Sequence, residues 1–235
     1  MGHVAAGRLD AHARLRFAVM AKAINSWRLF WLLALATSIA ICLGLPRTDF
    51  SSARGMEFII LRSVRCALPC FIVAFTASSF AILWPGRWTR WLLSNRRYFG
   101  LAFAWGMGWH LSFVAYSTVR FGNQLNATAT ALDVIVLLFL IGMTVTSFRW
   151  FARRLSLADW QRLHKAGAYL IWLLATDIYL ANVRGGGDPV HNAGLVVLLA
   201  AGLLRAAAWT KVRLLRAGAT DGALPPARGS IKTKA

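Results

Sequence analysis

The sequence has few charged residues and very few acidic ones. Only 15% of its 235 residues are charged, and 27 Lys and Arg stand against 8 Asp and Glu, for a net charge of +19. Soluble domains average about 25% charged residues, so this composition argues against an ordinary soluble enzyme. The basic excess raises the possibility of a nucleic-acid-binding protein. We predict no nucleic acid partner, because the basic residues lie between long apolar runs, as they do where they orient helices in a lipid bilayer.

Cysteines are also scarce, and sequence motifs for nucleotide chemistry are missing. Cys42, Cys66 and Cys70 lie in or beside apolar runs, a number and setting that fit neither a zinc site nor a disulfide framework. The sequence shows no glycine-rich phosphate loop and no nucleophile elbow. Any flavin or nucleotide chemistry is therefore expected to come from a partner chain.

Long hydrophobic segments are abundant and predict the fold class. A membrane-crossing helix needs about 20 mostly apolar residues. The sequence predicts an all-α polytopic membrane protein with six transmembrane helices, separated by Pro and Gly breakers. The six segments are Trp27–Leu45, Ala67–Trp84, Phe99–Val119, Thr130–Phe148, Leu163–Val183 and Ala193–Trp209.

Basic residues in alternate connections predict the orientation. They are concentrated before Trp27, in 85–98, in 149–165 and after Trp209, whereas 120–129 and 184–192 hold one Arg each and 46–66 is mixed. The positive-inside rule then places both termini in the cytoplasm, in a multi-pass protein of the cell inner membrane. We expect a cytoplasmic segment at 1–26, a transmembrane domain at 27–209 and a disordered basic tail at 210–235.

Ionisable residues inside the apolar segments are the candidate functional residues, since such residues are costly in a bilayer. His110 lies about 16 Å along the third segment, near the middle of the membrane. Gly106, one turn earlier, leaves room for a flat macrocycle, so a haem ligand and a hydrogen-bonded bundle histidine remain equal alternatives. The stripe Gly100, Ala104 and Gly108 predicts close packing against another helix.

The fifth and sixth segments hold three more such residues. His164 lies at the start of the fifth segment and is expected at the cytoplasmic interface. Asp177 lies thirteen residues deeper, at a level similar to that of His110. Its roles as proton relay, hydrogen-bond partner of His110 or weak axial ligand remain open. Arg205 is expected to snorkel to the interface, and Asp133, at the outer end of the fourth segment, is given little functional weight.

Two motifs make the chain resemble a known family. The run Asn95 to Leu101, followed by His110-Leu111, resembles the third helix of the ferric-reductase-like transmembrane domain. Trp160 to His164 resembles that family's W-x-x-L-H entry to the fifth helix. The similarity covers roughly residues 57–183 and is closest to the haem-binding membrane subunit of the bacterial periplasmic methionine-sulfoxide reductase system.

The resemblance implies a helical bundle that holds b-type haem between its third and fifth helices through histidines. His110 and His164 match iron ligands of the family, and Arg97, within the first motif, is predicted to bind the cofactor. The family has another histidine about thirteen residues after His164, where this chain has Asp177. Because the two histidines differ in depth by roughly 18 Å, one haem held by both is not expected. We therefore predict a haem held chiefly by His110, with a weaker site at His164.

The function implied is haem-dependent transmembrane electron transfer. The donor would be a cytoplasmic flavin reductase or a membrane quinol, and the acceptor would be ferric iron or a periplasmic redox protein. The alternative is a haem-free membrane scaffold or assembly protein that keeps the fold. A small transporter is less favoured, because paired broken helices are lacking.

Overall fold

The computed structural model describes residues 26–122, 127–186 and 188–221. Over these residues the chain forms α-helices and one 3₁₀ turn, Leu45–Arg47, without a β-strand, which confirms the all-α prediction. The helices are α1 Trp27–Cys42, α2 Ala53–Leu83, α3 Arg87–Phe121, α4 Ala127–Val145, α5 Arg149–Ala152, α6 Leu157–Arg184 and α7 Pro189–Asp221.

Four stretches of the described chain are long and apolar enough to cross a bilayer, so the chain is a membrane protein. A further apolar helix, Ala131–Val145, is shorter, and α3 has the length but a less apolar composition. The four stretches are Trp27–Arg47, Ala53–Leu83, Leu157–Arg184 and Pro189–Ala217.

Local sequence explains where the long helices begin and end. The Ser52 side chain accepts a hydrogen bond from the Gly55 backbone N–H at 3.1 Å, so α2 begins fourteen residues before the predicted apolar segment. The extension is amphipathic rather than uniformly apolar, and it buries Met56 and Ile59 completely. α3, which forms a helical hairpin with α2, terminates at Gly122, whose φ of +59° is left-handed and favours glycine.

The centre of the bundle is the pair α2 and α3. α2 packs against α3, α7 and α1, while α6 packs against α7 and α4. Gly106 of α3 faces α2 so closely that a Cβ atom there would lie 2.6 Å from the Cβ of Ala67. Phe71, Phe75 and Phe103 fill the core where α2 and α3 meet.

One end of the molecule, which we call the basic end, is formed by turns from six helices. They are the first turns of α1, α3 and α6 and the last turns of α2, α4 and α7. The Ser26 N–H donates to Asn95 Oδ1 at 3.2 Å, and the Trp27 ring stacks on Phe148 at 6.0 Å. Across the bundle, Lys211 Nζ donates to the Ile82 carbonyl at 3.0 Å. The alternation of basic connections read from the sequence therefore corresponds to one end of the folded chain.

The C-terminal region differs from the expectation. We expected disorder from residue 210, but α7 continues to Asp221. The helix extends because Thr210 to Arg216 contains good helix formers such as Leu, Lys and Arg and no Pro. Residues 222–235 and the basic segment before Ser26 lie outside the described residues.

Candidate functional site

A cavity of about 580 Å³ lies near the basic end, between α2, α3, α4 and α6. Its volume falls within the range of pockets that take organic ligands, roughly 300–1,000 Å³. Phe71, Phe75, Phe103 and Leu140 give it an apolar wall. Polar side chains line the remainder: Ser78, Arg96, Arg97, Thr144, Thr146, Ser147, Gln161, His164, Lys165 and Arg205.

His164 borders this cavity from the second turn of α6. The Thr146 hydroxyl donates to the Gly142 carbonyl at 2.7 Å and lies 3.1 Å from His164 Nε2. Since the hydroxyl has one proton, it accepts a hydrogen bond from His164 Nε2–H. The Trp160 ring, 4.3 Å away, fixes the tilt of the imidazole. Nδ1 of His164 has no hydrogen-bond partner among the described residues, so its lone pair is available to a metal.

Four basic side chains line the cavity, namely Arg96, Arg97, Lys165 and Arg205, and no Asp or Glu of the described chain does. The Arg97 guanidinium lies over the rings of Trp27 and Tyr98, at 5.9 and 5.5 Å from their centres. Its Nε is buried and has no hydrogen-bond partner within the described ranges. The cationic lining, without a carboxylate from the described chain, suits an anionic ligand.

Arg205 faces the interior of the bundle. The expectation that it snorkels to the interface is therefore wrong. The guanidinium is held instead by the Phe75 carbonyl and, at 3.1 Å, by the Tyr169 hydroxyl. Nothing in the sequence indicates this contact, because the partners are distant along the chain.

The two glycines of the small-residue stripe on α3 do not pack against a helix as predicted, whereas Ala104 packs against the core. A Cβ atom added at Gly100 or Gly108 would meet no atom of the described chain within 4 Å. Gly100 lines the cavity, whereas Ala104 and Gly108 line a second, apolar cavity of about 370 Å³ between α1, α3 and α4. The two cavities share Leu101, Leu140 and Thr144 because α4 stands away from α3 at this level.

Gly106 has a different role from the one expected. We expected it to leave space for a macrocycle, but Ala67 and Thr37 occupy that space, at 2.6 and 3.2 Å from the position of an added Cβ atom. Gly106 therefore allows α2 and α3 to approach each other. The open positions on α3 are Gly100 and Gly108, and Gly100, six residues nearer the basic end than Gly106, lines the main cavity.

His110 lies outside the residues that line the main cavity. Its Nδ1 is 3.3 Å from the Ile60 carbonyl and 3.3 Å from the Ser63 hydroxyl, which itself donates to Ile60 at 2.6 Å. Nδ1 therefore carries the proton, and Nε2 keeps a free lone pair. Metal-ligating histidines are usually held in this way, through a hydrogen bond from the other ring nitrogen.

Asp177 and His110 are not brought together by a hydrogen bond in the described structure. Asp177 lies on an exposed face of α6 and makes no hydrogen bond or ion pair with another described residue. Asp133, which is also exposed, interacts electrostatically with His110. The structure thus combines His164 and Arg97 at one cavity and leaves His110, Gly106 and Asp177 elsewhere.

A second polar cluster lies opposite the basic end and is absent from the sequence predictions. Arg65 forms an ion pair with Asp188 at 3.0 Å, and its Nη2 is 3.0 Å from His191 Nδ1. The His191 backbone N–H, which donates to Asp188 at 2.9 Å, and the Arg65 guanidinium hold the pKa of the Asp188 carboxyl below its usual value. The only signal in the sequence was an Asp-Pro helix start, which predicts a helix N-cap and not a link to α2.

Comparison with known proteins finds curated relatives. Protein-methionine-sulfoxide reductase heme-binding subunit MsrQ of Yersinia pseudotuberculosis serotype O:1b (strain IP 31758) is 34% identical over 119 residues, which cover 46% of this chain and 56% of the relative. The protein of the same name from Yersinia pestis (strain Pestoides F) is 34% identical over 119 residues, covering 46% of this chain and 55% of the relative. These matches confirm the resemblance stated from the sequence.

The extent of the match is limited. The chain spans about half the length of the curated relatives that it matches. No family model matches the chain, and no solved structure does.

Proposed function

We propose that this protein is a haem-dependent electron-transfer subunit of the inner membrane, built from six transmembrane helices with both termini in the cytoplasm. The observation that carries the proposal is the cavity near the basic end, which combines an available imidazole nitrogen of His164, an apolar wall and an excess of cations. The similarity to proteins named as haem-binding subunits supports it.

The residues of the cavity fit a b-type haem by their chemistry. His164 offers a ring nitrogen to iron, and Thr146 fixes the orientation of the imidazole through the other nitrogen. The open position at Gly100 leaves space for a flat ring, and Phe71 and Leu140 exclude water from it. Arg97, which lines the cavity, would bind a carboxylate of the cofactor through its guanidinium. When bound, haem b would supply reversible one-electron transfer.

His110 is proposed as a ligand of a second haem, nearer the other end of the bundle. The hydrogen bonds from Nδ1 to Ile60 and Ser63 direct the free Nε2 away from α2. Gly106 and Asp177 have no place in the cavity near the basic end, because one packs on Ala67 and the other lies on an exposed face. We therefore propose Asp177 only as a residue near the second haem, the one held by His110.

Electrons would enter at the basic end and leave on the outer side. The proposed donors are a cytoplasmic flavin reductase, which brings its own flavin, or a membrane quinol. The proposed acceptors are ferric iron or a periplasmic redox protein. Arg153, Arg154 and Arg162 at the basic end offer a surface for an acidic donor.

The visible spectrum of the detergent-purified protein, oxidised and then reduced with dithionite, tests the proposal. The expected result is a Soret band that shifts on reduction, with about one haem per chain or more. Protein that shows no Soret band after expression with added haem precursor and after haem titration overturns the proposal. The haem-free scaffold then becomes the better account, and the aspartate at 177, where the resembled family has histidine, is the observation that favours it.

A further inference from the structure

Arg205 places a positive charge inside the membrane-crossing part of α7. It lies within the candidate span Pro189–Ala217, six residues before Lys211, which is about 9 Å of helix. Lys211 reaches the Ile82 carbonyl at the basic end, as a snorkelling cation does. Arg205 is instead directed inward, so its position is not explained by escape to the interface.

The contacts of Arg205 orient the guanidinium without neutralising it. The Phe75 and Tyr169 rings lie on it, with centres 4.4 and 4.7 Å from Cζ. The Phe75 carbonyl accepts from Nη1, and the Tyr169 hydroxyl accepts from Nε at 3.1 Å. Nη2 donates no hydrogen bond within the part of the chain that the structure describes. Such fixed geometry presents the remaining N–H groups to the adjoining space.

That space is the cavity of His164, which Arg205 lines. No carboxylate of the described chain lines the same cavity, so the charge of Arg205 has no anionic partner from the protein there. An unpaired charge in a medium of low dielectric constant is unfavourable. A ligand that brings a carboxylate into the cavity removes this penalty, and a planar guanidinium is well suited to bind it through two hydrogen bonds.

We propose that Arg205 is a cofactor-binding residue that pairs with a carboxylate of the haem and thereby selects a tetrapyrrole with free carboxylates. Phe75 and Tyr169 are its positioning residues, because they hold the guanidinium on two faces. This inference rests on the proposed function, since it needs the cavity to take haem. It adds a second anion-binding residue to Arg97, on a different helix.

The test compares haem with its dimethyl ester, in which both carboxylates are neutral. The full-length protein in detergent is titrated with each compound, and binding is followed by the Soret absorbance. Arg205→Gln is compared with the control variant Arg213→Gln. In the wild-type protein the Arg213 guanidinium lies over Trp209 at 3.9 Å, and Arg213 does not line the cavity. The measured quantity is the ratio of the affinities for haem and for the ester.

The expected result is that wild-type protein prefers haem, and that Arg205→Gln reduces this preference by about tenfold or more, as for loss of a charge-assisted hydrogen bond. Arg213→Gln is expected to keep the wild-type ratio. Equal loss of affinity for both compounds in Arg205→Gln would show a structural role and overturn the inference. Should that variant not fold, equal wild-type affinities for haem and ester overturn it as well.

Failure of the proposed function gives a different pattern. Wild-type protein that binds neither compound overturns both the haem proposal and the role of Arg205. Wild-type protein that binds haem, with an unchanged ratio in Arg205→Gln, leaves the haem proposal intact and overturns the role of Arg205 alone.

Discussion

Thr146, in the turn that follows α4, and His164 of α6 are joined by a hydrogen bond of 3.1 Å, in which the imidazole donates and the hydroxyl accepts. The hydroxyl proton is already used on the Gly142 carbonyl, 2.7 Å away. The threonine therefore fixes which ring nitrogen of His164 carries the proton. Ser63 holds His110 in an equivalent way, through a hydroxyl that donates to Ile60.

We expect Thr146→Val to weaken haem binding at His164 by about 10- to 100-fold, because partners of metal-ligating histidines contribute at this level. Thr144→Val is the matched control, since Thr144 also lines the cavity but donates to the Leu140 carbonyl and does not contact His164. Haem titration followed by absorbance gives both affinities. Equal affinities in the two variants would show that the hydrogen bond has no role.

Removal of the His164 imidazole is expected to abolish most haem binding at the cavity. His164→Ala removes the only histidine that lines the cavity in the described structure. His191→Ala is the control, because His191 is buried in the cluster with Arg65 and Asp188 at the opposite end. Haem content per chain, determined as pyridine haemochrome, should fall only in the first variant. Full haem content in His164→Ala would place the ligand elsewhere, with His110 as the next residue to replace.

Two glycines of α3 are expected to respond differently to a larger side chain. Gly100→Leu fills open space and should lower haem content while leaving thermal stability near wild type. Gly106→Leu forces α2 and α3 apart at Ala67 and should destabilise the protein by about 1–3 kcal/mol or more. Thermal unfolding in detergent and haem content are measured for both. Similar stability losses in the two variants would contradict the difference in packing.

The topology is tested with alkaline phosphatase, which is active only on the outer side of the inner membrane. A fusion after Asp221 should be inactive, because α7 ends at the basic end of the bundle. An insertion in the connection between α6 and α7, at residues 185–188, should be active. The reverse pattern of activity would invert the orientation and move the cavity of His164 to the outer side.

The Arg65–Asp188 contact should make the link between α2 and α7 sensitive to acid. In the folded protein the pKa of the Asp188 carboxyl is below its usual value. The contribution of the carboxylate to stability is therefore present at neutral pH and is lost as the pH falls below about 4. Wild-type protein should be more stable than Asp188→Asn at pH 7, and the difference should shrink on acidification toward pH 3. A difference that does not depend on pH would exclude the charge as its cause.

The helical fold could be predicted from the sequence more completely than the site. Apolar run length identified the long helices, because a bilayer imposes a minimum length on each crossing. It misplaced the start of α2 at Ala67, since the polar first half of that helix is stabilised by a capped N-terminus and a buried stripe with Met56 and Ile59. It also ended α7 too early, because composition alone gave no stop signal at Thr210.

The site depended on contacts that sequence spacing does not contain. The W-x-x-L-H motif drew attention to His164, which the structure places at a cavity. Residue spacing along α3 placed open space at Gly106 and close packing at Gly100, and the structure shows the opposite. Contacts along the whole α2–α3 hairpin determine which face of α3 meets α2. The position of Arg205 is set by Phe75, which is 130 residues away in sequence.

The contact of Gly106 with Ala67 bears on the electron transfer proposed for this chain. It holds α2 and α3 in a closely packed hairpin, with no room for a Cβ atom at Gly106 beside Ala67. Phe71 and Phe103, which wall the cavity, extend from the two arms of that hairpin. A haem bound against this wall, as proposed, would change charge beside closely packed helices, so we expect the reorganisation energy of its electron transfer to be low.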